Sequence, residues 1–271
     1  CACLVGSEMC IRDSDGCAAL AEKVAGSADK AVELMNSRAK MLGMNGTVYT
    51  DCTGMGEGNV TTAKDTALLC SELAKYKNLT PYLTCWLDTV RDGKAELVNL
   101  NRLVRTYKGV TGMKAWGSEK AGSCIAATAE KGDMSVCVVL NGCDSQEDMN
   151  AEAKKLLNLA FDTYEIYTPE LPEDMVKETV VCGGEELSVE LAPKGLYPIV
   201  IPRGTYRMVE CDFTAEEKLD APVKNGETAG KIRYTMGGEV ILEGKIVACK
   251  EVKKMNFICG IKKLVYNLLS M

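Results

Sequence analysis

Gly109 to Gly142, GVTGMKAWGSEKAGSCIAATAEKGDMSVCVVLNG, decides the fold. Cys124–Ala129 is small and apolar, and Met134–Leu140 is an almost unbroken apolar run. The polar Glu130-Lys131-Gly132-Asp133 between them carries the glycine a hairpin turn favours. Gly109–Lys114 reads as a third strand returned by a turn at Ser118–Gly122. An antiparallel meander with a basic residue, Lys114, on its first strand follows. The helical pattern Asp148–Tyr164, apolar at Ala153, Leu156, Leu157, Ala160 and Phe161, is expected to pack on that sheet.

Totals narrow the function. With 271 residues, 46% apolar and 26% charged, the chain is globular and long enough for more than one core. A net charge of −6 argues against a nucleic-acid face. No histidine is present, which removes Ser-His-Asp and Cys-His catalysis and His-ligated zinc. Fourteen cysteines are scattered without a Cys-x-x-Cys pair, so no metal site is expected, nor any cofactor. Cys70, Cys124, Cys137 and Cys249 sit in apolar runs and read as buried thiols.

Working outward, residues 1–13 show no periodicity, and Glu8–Asp13 reads like a translated sequencing adapter. They are taken as a non-native leader and excluded from fold reasoning, the alternative being an ordinary N-terminal strand. Cys17–Leu42 is helical, broken at Ala25-Gly26-Ser27, with Ser27 as N-cap of the second helix and Gly43 as its stop. Thr47–Thr62 is a polar loop, and Asp65–Tyr76 an amphipathic helix opened by Thr61-Thr62-Ala63. A hairpin is expected within Thr84–Leu97 around Asp92-Gly93.

After the linker Tyr167–Pro172 the texture changes to short strands separated by Gly-Gly and Pro-x-Gly breaks. These are Met175–Val181, Leu187–Leu191, Tyr197–Ile201, Tyr206–Cys211, Gly230–Met236 and Val240–Ala248, the pattern of a small β-sandwich. The fold class is therefore α+β. Expected domains are residues 14–166, a β-domain at 167–252 and a tail at 253–271. The tail places Phe257, Ile258, Ile261, Leu264, Val265 and Leu268 on one apolar stripe near several lysines. It is too short to span a bilayer but suits a helix lying on an anionic membrane surface. A helix docked on its own β-domain is the alternative.

These segments together resemble the serine-type D-alanyl-D-alanine carboxypeptidases, the low-molecular-mass penicillin-binding proteins. Gly112-Met113-Lys114, Ala121-Gly122, Cys124 and Ala126–Ala129 match the family's Lys-Thr-Gly strand and the hairpin after it. Ala19–Glu22, Gly26-Ser27, Met35-Asn36 and Leu42–Met44 match its helices, and Asn99–Leu103 its approach to the third motif. Leu219–Glu227 resembles the signature of its C-terminal β-domain.

The resemblance implies a partial penicillin-binding-protein fold, and removal of the terminal D-alanine of a peptidoglycan stem peptide through an acyl-serine. It implies a place on the outer face of the bacterial cytoplasmic membrane. Lys114 would bind the terminal carboxylate of that peptide or of a β-lactam, its alternative being a solvated strand lysine. Ser118 stands where the family has a further hydroxyl.

The departures fall on the chemistry. The triplet reads Lys114-Ala115-Trp116, losing a hydroxyl and a glycine. The Ser-x-Asn motif and its Asp would fall on Arg12, Asp13, Ser14 and Asp15, of which only the Asp matches. Ser37-Arg38-Ala39-Lys40 spells the nucleophile motif, and Tyr76-Lys77-Asn78 imitates the second, but both stand in the wrong order along the chain. The nucleophile is therefore expected upstream of residue 1 and the chain as given is expected to be inactive. The rival reading is a non-catalytic envelope protein with a degenerate cleft.

Overall fold

In a computed structural model of the chain, residues 15–54, 58–90, 95–173, 175–257 and 261 are described. Residues 1–13, Arg12–Ser14 among the motif positions, the Asp92-Gly93 turn, and Ile258, Leu264, Val265 and Leu268 lie outside the described residues. The chain divides into two units, residues 1–162 and 163–271.

The first unit opens with helix α1, residues 15–25, and α2, Ala28–Met41. Ser27 caps α2 by accepting from the Lys30 N–H at 3.3 Å. Gly43, at φ +76°, ends it: the Met44 N–H reaches the Ala39 carbonyl and the Gly43 N–H that of Lys40.

The loop that follows is held by side chains. Asn36 clamps both backbone groups of Tyr49, and Asp51 accepts from the Thr53 and Gly54 N–H groups and from Asn59. Buried Asp65 accepts from the Gly46 N–H at 2.8 Å and the Thr47 hydroxyl at 2.7 Å. Asp65 belongs to α3, Ala63–Leu73, whose N-cap is Thr62. Short α4, Thr80–Leu83, leads to the antiparallel pair β1, Leu87–Val90, and β2, Ala95–Val98. Next comes α5, Leu103–Thr106.

The central sheet holds β3, Val110–Gly112; β4, Ala115–Ser118; β5, Gly122–Lys131; and β6, Met134–Cys143. The expected first strand is thus two pieces. Both pair antiparallel with one side of β5, while β6 pairs with the other. Strand β5 runs further than its polar end suggested, so only Gly132-Asp133 turns the hairpin, with Gly132 at φ +61°.

Positions 124–129 are all buried, which requires a layer on each face. Helix α3 covers the face bearing Ala126, Cys137 and Val139. The last helix, α6, Gln146–Thr163, buries Met149, Ala153, Leu157 and Phe161. Phe161 lies beneath the Lys131 ammonium at 6.0 Å. Each large apolar side chain so buried contributes about 1.5–3 kcal/mol. The Ser145 Oγ accepts from the Asp148 N–H and donates to the Asp148 carboxylate, capping the start of this helix.

The second unit begins before the expected linker, because β7, Tyr164–Tyr167, pairs with β10, Ile199–Pro202. Its main sheet is built from β8, Glu178–Cys182; β9, Ser188–Lys194; β11, Val209–Ala215; β12, Lys218–Asp220; β13, Thr228–Met236; and β14, Glu239–Ala248. The order is β11-β13-β14-β9-β8-β12, with β12 parallel to β8. Tyr206–Met208, expected as strand, is a 3-10 turn. Val189, Ile232, Tyr234 and Ile246 are the centre of the core, and Tyr167 and Ile199 of the short ladder pack against it. Lys253–Met255, expected in the tail, belong to this unit. Their backbone bonds to Gly183 and Glu185.

Candidate active-site edge

Lys114 lies in the gap between β3 and β4. Its carbonyl accepts from the Ala126 N–H at 2.9 Å, so the ladder continues through the gap, and its side chain is exposed. Gly112 ahead of it has φ +141°, and a Cβ there would stand 2.7 Å from Leu83 Cβ. This is the close approach that makes a glycine necessary two places before Lys114.

Ala115 is 3% exposed and pairs with Ile125, so the missing hydroxyl has been replaced by a core methyl. Trp116 pairs with Cys124 and is half-buried, packed on the Cys70, Met113 and Ala126 cluster. The residue standing in place of the family's glycine is thus a packing residue beneath α3. Gly117 supplies a glycine one place later, but a Cβ there would stand 2.9 Å from the Gly122 carbonyl oxygen. Its smallness therefore serves the neighbouring strand. Ser118 is exposed and its Oγ accepts from the Ala121 N–H at 3.0 Å, leaving its own proton to donate outward.

Two residues that hold this edge escaped the sequence reading as functional, although the Asn-x-Asn spelling signalled them. Asn99 donates to the Leu83 and Cys85 carbonyls and accepts from the Asn101 N–H. Asn101 is fully buried, accepts from the Leu103 N–H and donates to the Gly112 carbonyl at 3.4 Å. Together they tie α4, α5 and the end of β3 into one frame.

The nucleophile spellings are not built as sites. Ser37 and Lys40 are exposed, whereas an activating lysine must be drawn out of water. A second spelling, Ser27-Ala28-Asp29-Lys30, went unread; its serine is the α2 cap. Lys77 of the Tyr-x-Asn imitation lies in a 3-10 turn and is ion-paired with Glu130. In the tail, Phe257 is 84% and Ile261 47% exposed. No helix among the described residues is long and apolar enough to cross a membrane.

Residues 6–144 match the family described as D-alanyl-D-alanine carboxypeptidase. The chain belongs to that family. The match starts inside the stretch read as a non-native leader. Residues 161–254 match the penicillin-binding protein 5 C-terminal domain.

Among curated carboxypeptidases of this family, DacF of Bacillus subtilis is 31% identical over 92% of this chain and 66% of its own length. DacC of Escherichia coli is 30% identical over 90% of this chain and 62% of its own length. The chain thus spans under two thirds of these relatives. Penicillin-binding protein 5 of Haemophilus influenzae shares the fold, with a TM-score of 0.73 at 24% identity over 88% of this chain and 70% of that one. Penicillin-binding protein D2 of Listeria monocytogenes, solved in a cefotaxime-bound form, gives a TM-score of 0.50 at 27% identity. It covers 55% of this chain and 61% of its own. The fold is α+β, as the alternation of helices and antiparallel strands predicted.

Proposed function

We propose that this carboxypeptidase-family chain carries the substrate-carboxylate edge of a serine-type D-Ala-D-Ala carboxypeptidase, and that acyl transfer needs residues it does not contain. The supporting observation is Lys114, exposed in the gap of an edge strand whose carbonyl still holds the ladder. An extended stem peptide or a β-lactam lying along β4 would meet a cation at its carboxylate and the Ser118 hydroxyl beside it. A base and a nucleophile are required for the serine step, and neither Ser27 nor Ser37 has a desolvated lysine to serve it.

The test joins this chain to the upstream part of its reading frame and treats the longer polypeptide with a labelled β-lactam. Acylation of an upstream serine, rising when Ala115→Thr and Trp116→Gly are introduced, supports the reading. A longer polypeptide without a Ser-x-x-Lys that still fails to acylate favours the second reading, a non-catalytic peptidoglycan-binding protein. Trp116 packed into the cluster beneath α3 speaks for that second reading. For localisation we propose the outer face of the cytoplasmic membrane, with the tail beyond Met255 lying on the lipid surface. The exposed Phe257 supports this.

A further inference from the structure

Cys70 and Cys137 belong to no motif, yet the fold brings them together. Helix α3 crosses β6 with Cα atoms within 8 Å. Cys70, 6% exposed, comes from the helix, and half-buried Cys137 from the strand. Both sit in the cluster that holds Met113, Ala126 and Trp116. Each thiol changes the other's proton affinity. A hydrogen bond from its neighbour holds the Cys70 thiol below its ordinary pKa against the opposing effect of burial. The same bond, with burial, pushes Cys137 up. Cys124, by contrast, is engaged with backbone, its sulfur accepting from the Gly142 N–H at 3.4 Å.

We propose that Cys70 and Cys137 are an oxidation site that a peroxide closes to a disulfide, pinning α3 to the sheet beneath Trp116. The Cys70 thiolate attacks one peroxide oxygen. The O–O bond breaks, Cys70 becomes a sulfenic acid and the second oxygen leaves as hydroxide or alkoxide, which takes up a proton. The Cys137 sulfur then attacks the Cys70 sulfur. The S–O bond breaks, water leaves with the Cys137 proton, and the S–S bond forms. Two thiols are oxidised for one peroxide reduced, and a dithiol restores them by exchange. The loop so closed contains Lys114 and the whole Ala115–Ser118 edge. The modification therefore restrains the segment on which the proposed substrate site lies, but its chemistry does not depend on that site.

The experiment treats the full chain with hydrogen peroxide, blocks remaining thiols under denaturing conditions and maps the peptides by mass. A peptide joining Cys70 to Cys137, lighter by two hydrogens and split by dithiothreitol, is expected. In a Trp86→Phe background, fluorescence from Trp116 should fall as the disulfide forms and return on reduction. In Cys137→Ala, Cys70 should be trapped by dimedone as the sulfenic acid. Recovery of both cysteines as blocked thiols, or joined to other cysteines, would overturn the proposal. The mapping on the unsubstituted chain decides this whether or not the variants fold.

Discussion

Asn101 shows how much of this protein rests on single polar side chains. It has no solvent exposure, and its amide serves one backbone donor and one backbone acceptor. Asn101→Ala would leave the Leu103 N–H and Gly112 C=O buried without partners. The expected loss is about 1–3 kcal/mol in denaturant unfolding, against less than half that for Thr106→Ala on the exposed end of α5.

Tyr234 is the counterpart in the β unit. Its hydroxyl donates to the Glu170 carbonyl at 2.9 Å, and burial first, then a hydrogen bond with Cys211, raises its pKa. A phenol raised in the folded state stabilises fully below the unfolded value of about 10. That stability is lost as pH climbs from there toward the folded value. Alkaline unfolding of the chain should therefore steepen above about pH 10, and Tyr234→Phe should flatten the slope while lowering stability at neutral pH by about 1 kcal/mol. An unchanged slope would mean another phenol governs it.

At the scale of elements, legibility followed chemistry that is local. The β5–β6 hairpin could be read because two apolar runs flank Gly132-Asp133. The stops of α2 could be read because Ser27 and Gly43 act on their own turn. What escaped depends on distant partners. Strand β12 is three residues long and exists by pairing with β8. Strand β7 falls between the expected end of the helix at Tyr164 and the expected linker from Tyr167, and is extended because Ile199–Pro202 lies beside it. The break at Met113-Lys114 lies beside Gly112, where Leu83 approaches so closely that a Cβ would stand 2.7 Å from it, a neighbour no periodicity reveals.

In the candidate site, the motif led to Lys114 and Ser118, and the structure leaves both exposed at the edge of the central sheet. The packing of Trp116 against α3 and the approach of Cys70 to Cys137 were not legible in the sequence, since both depend on how a helix crosses a sheet. Thr62→Ala removes the cap accepting from the Asp65 N–H at 3.1 Å. It should lower stability by about 0.5–2 kcal/mol. Amide exchange should rise first in the opening turn of α3; a uniform rise across the unit would contradict a local capping role.

At the scale of the whole molecule, both units match the family's models, and Lys114 sits at the edge of the central sheet beside Ala115 and Trp116. The tail adds a separate claim. With lysines contributing on the order of 1 kcal/mol each near anionic lipid, the full chain should float with phosphatidylglycerol vesicles and lose binding as salt rises. A chain ending at Met255 should stay at the bottom of the gradient, and equal flotation of the two would refute the surface-anchor reading.

We propose that the Lys114 edge binds a carboxylate and that neither Ser27 nor Ser37 is acylated. Loss of the nucleophile alone lowers turnover on the order of a millionfold in a comparable serine hydrolase. The most direct measurement is intact mass after prolonged incubation with a labelled penicillin, followed by peptide mapping. The predicted result is an unmodified chain, unchanged when Ala115→Thr and Trp116→Gly are made together. Stoichiometric covalent label on Ser27 or Ser37 would contradict it.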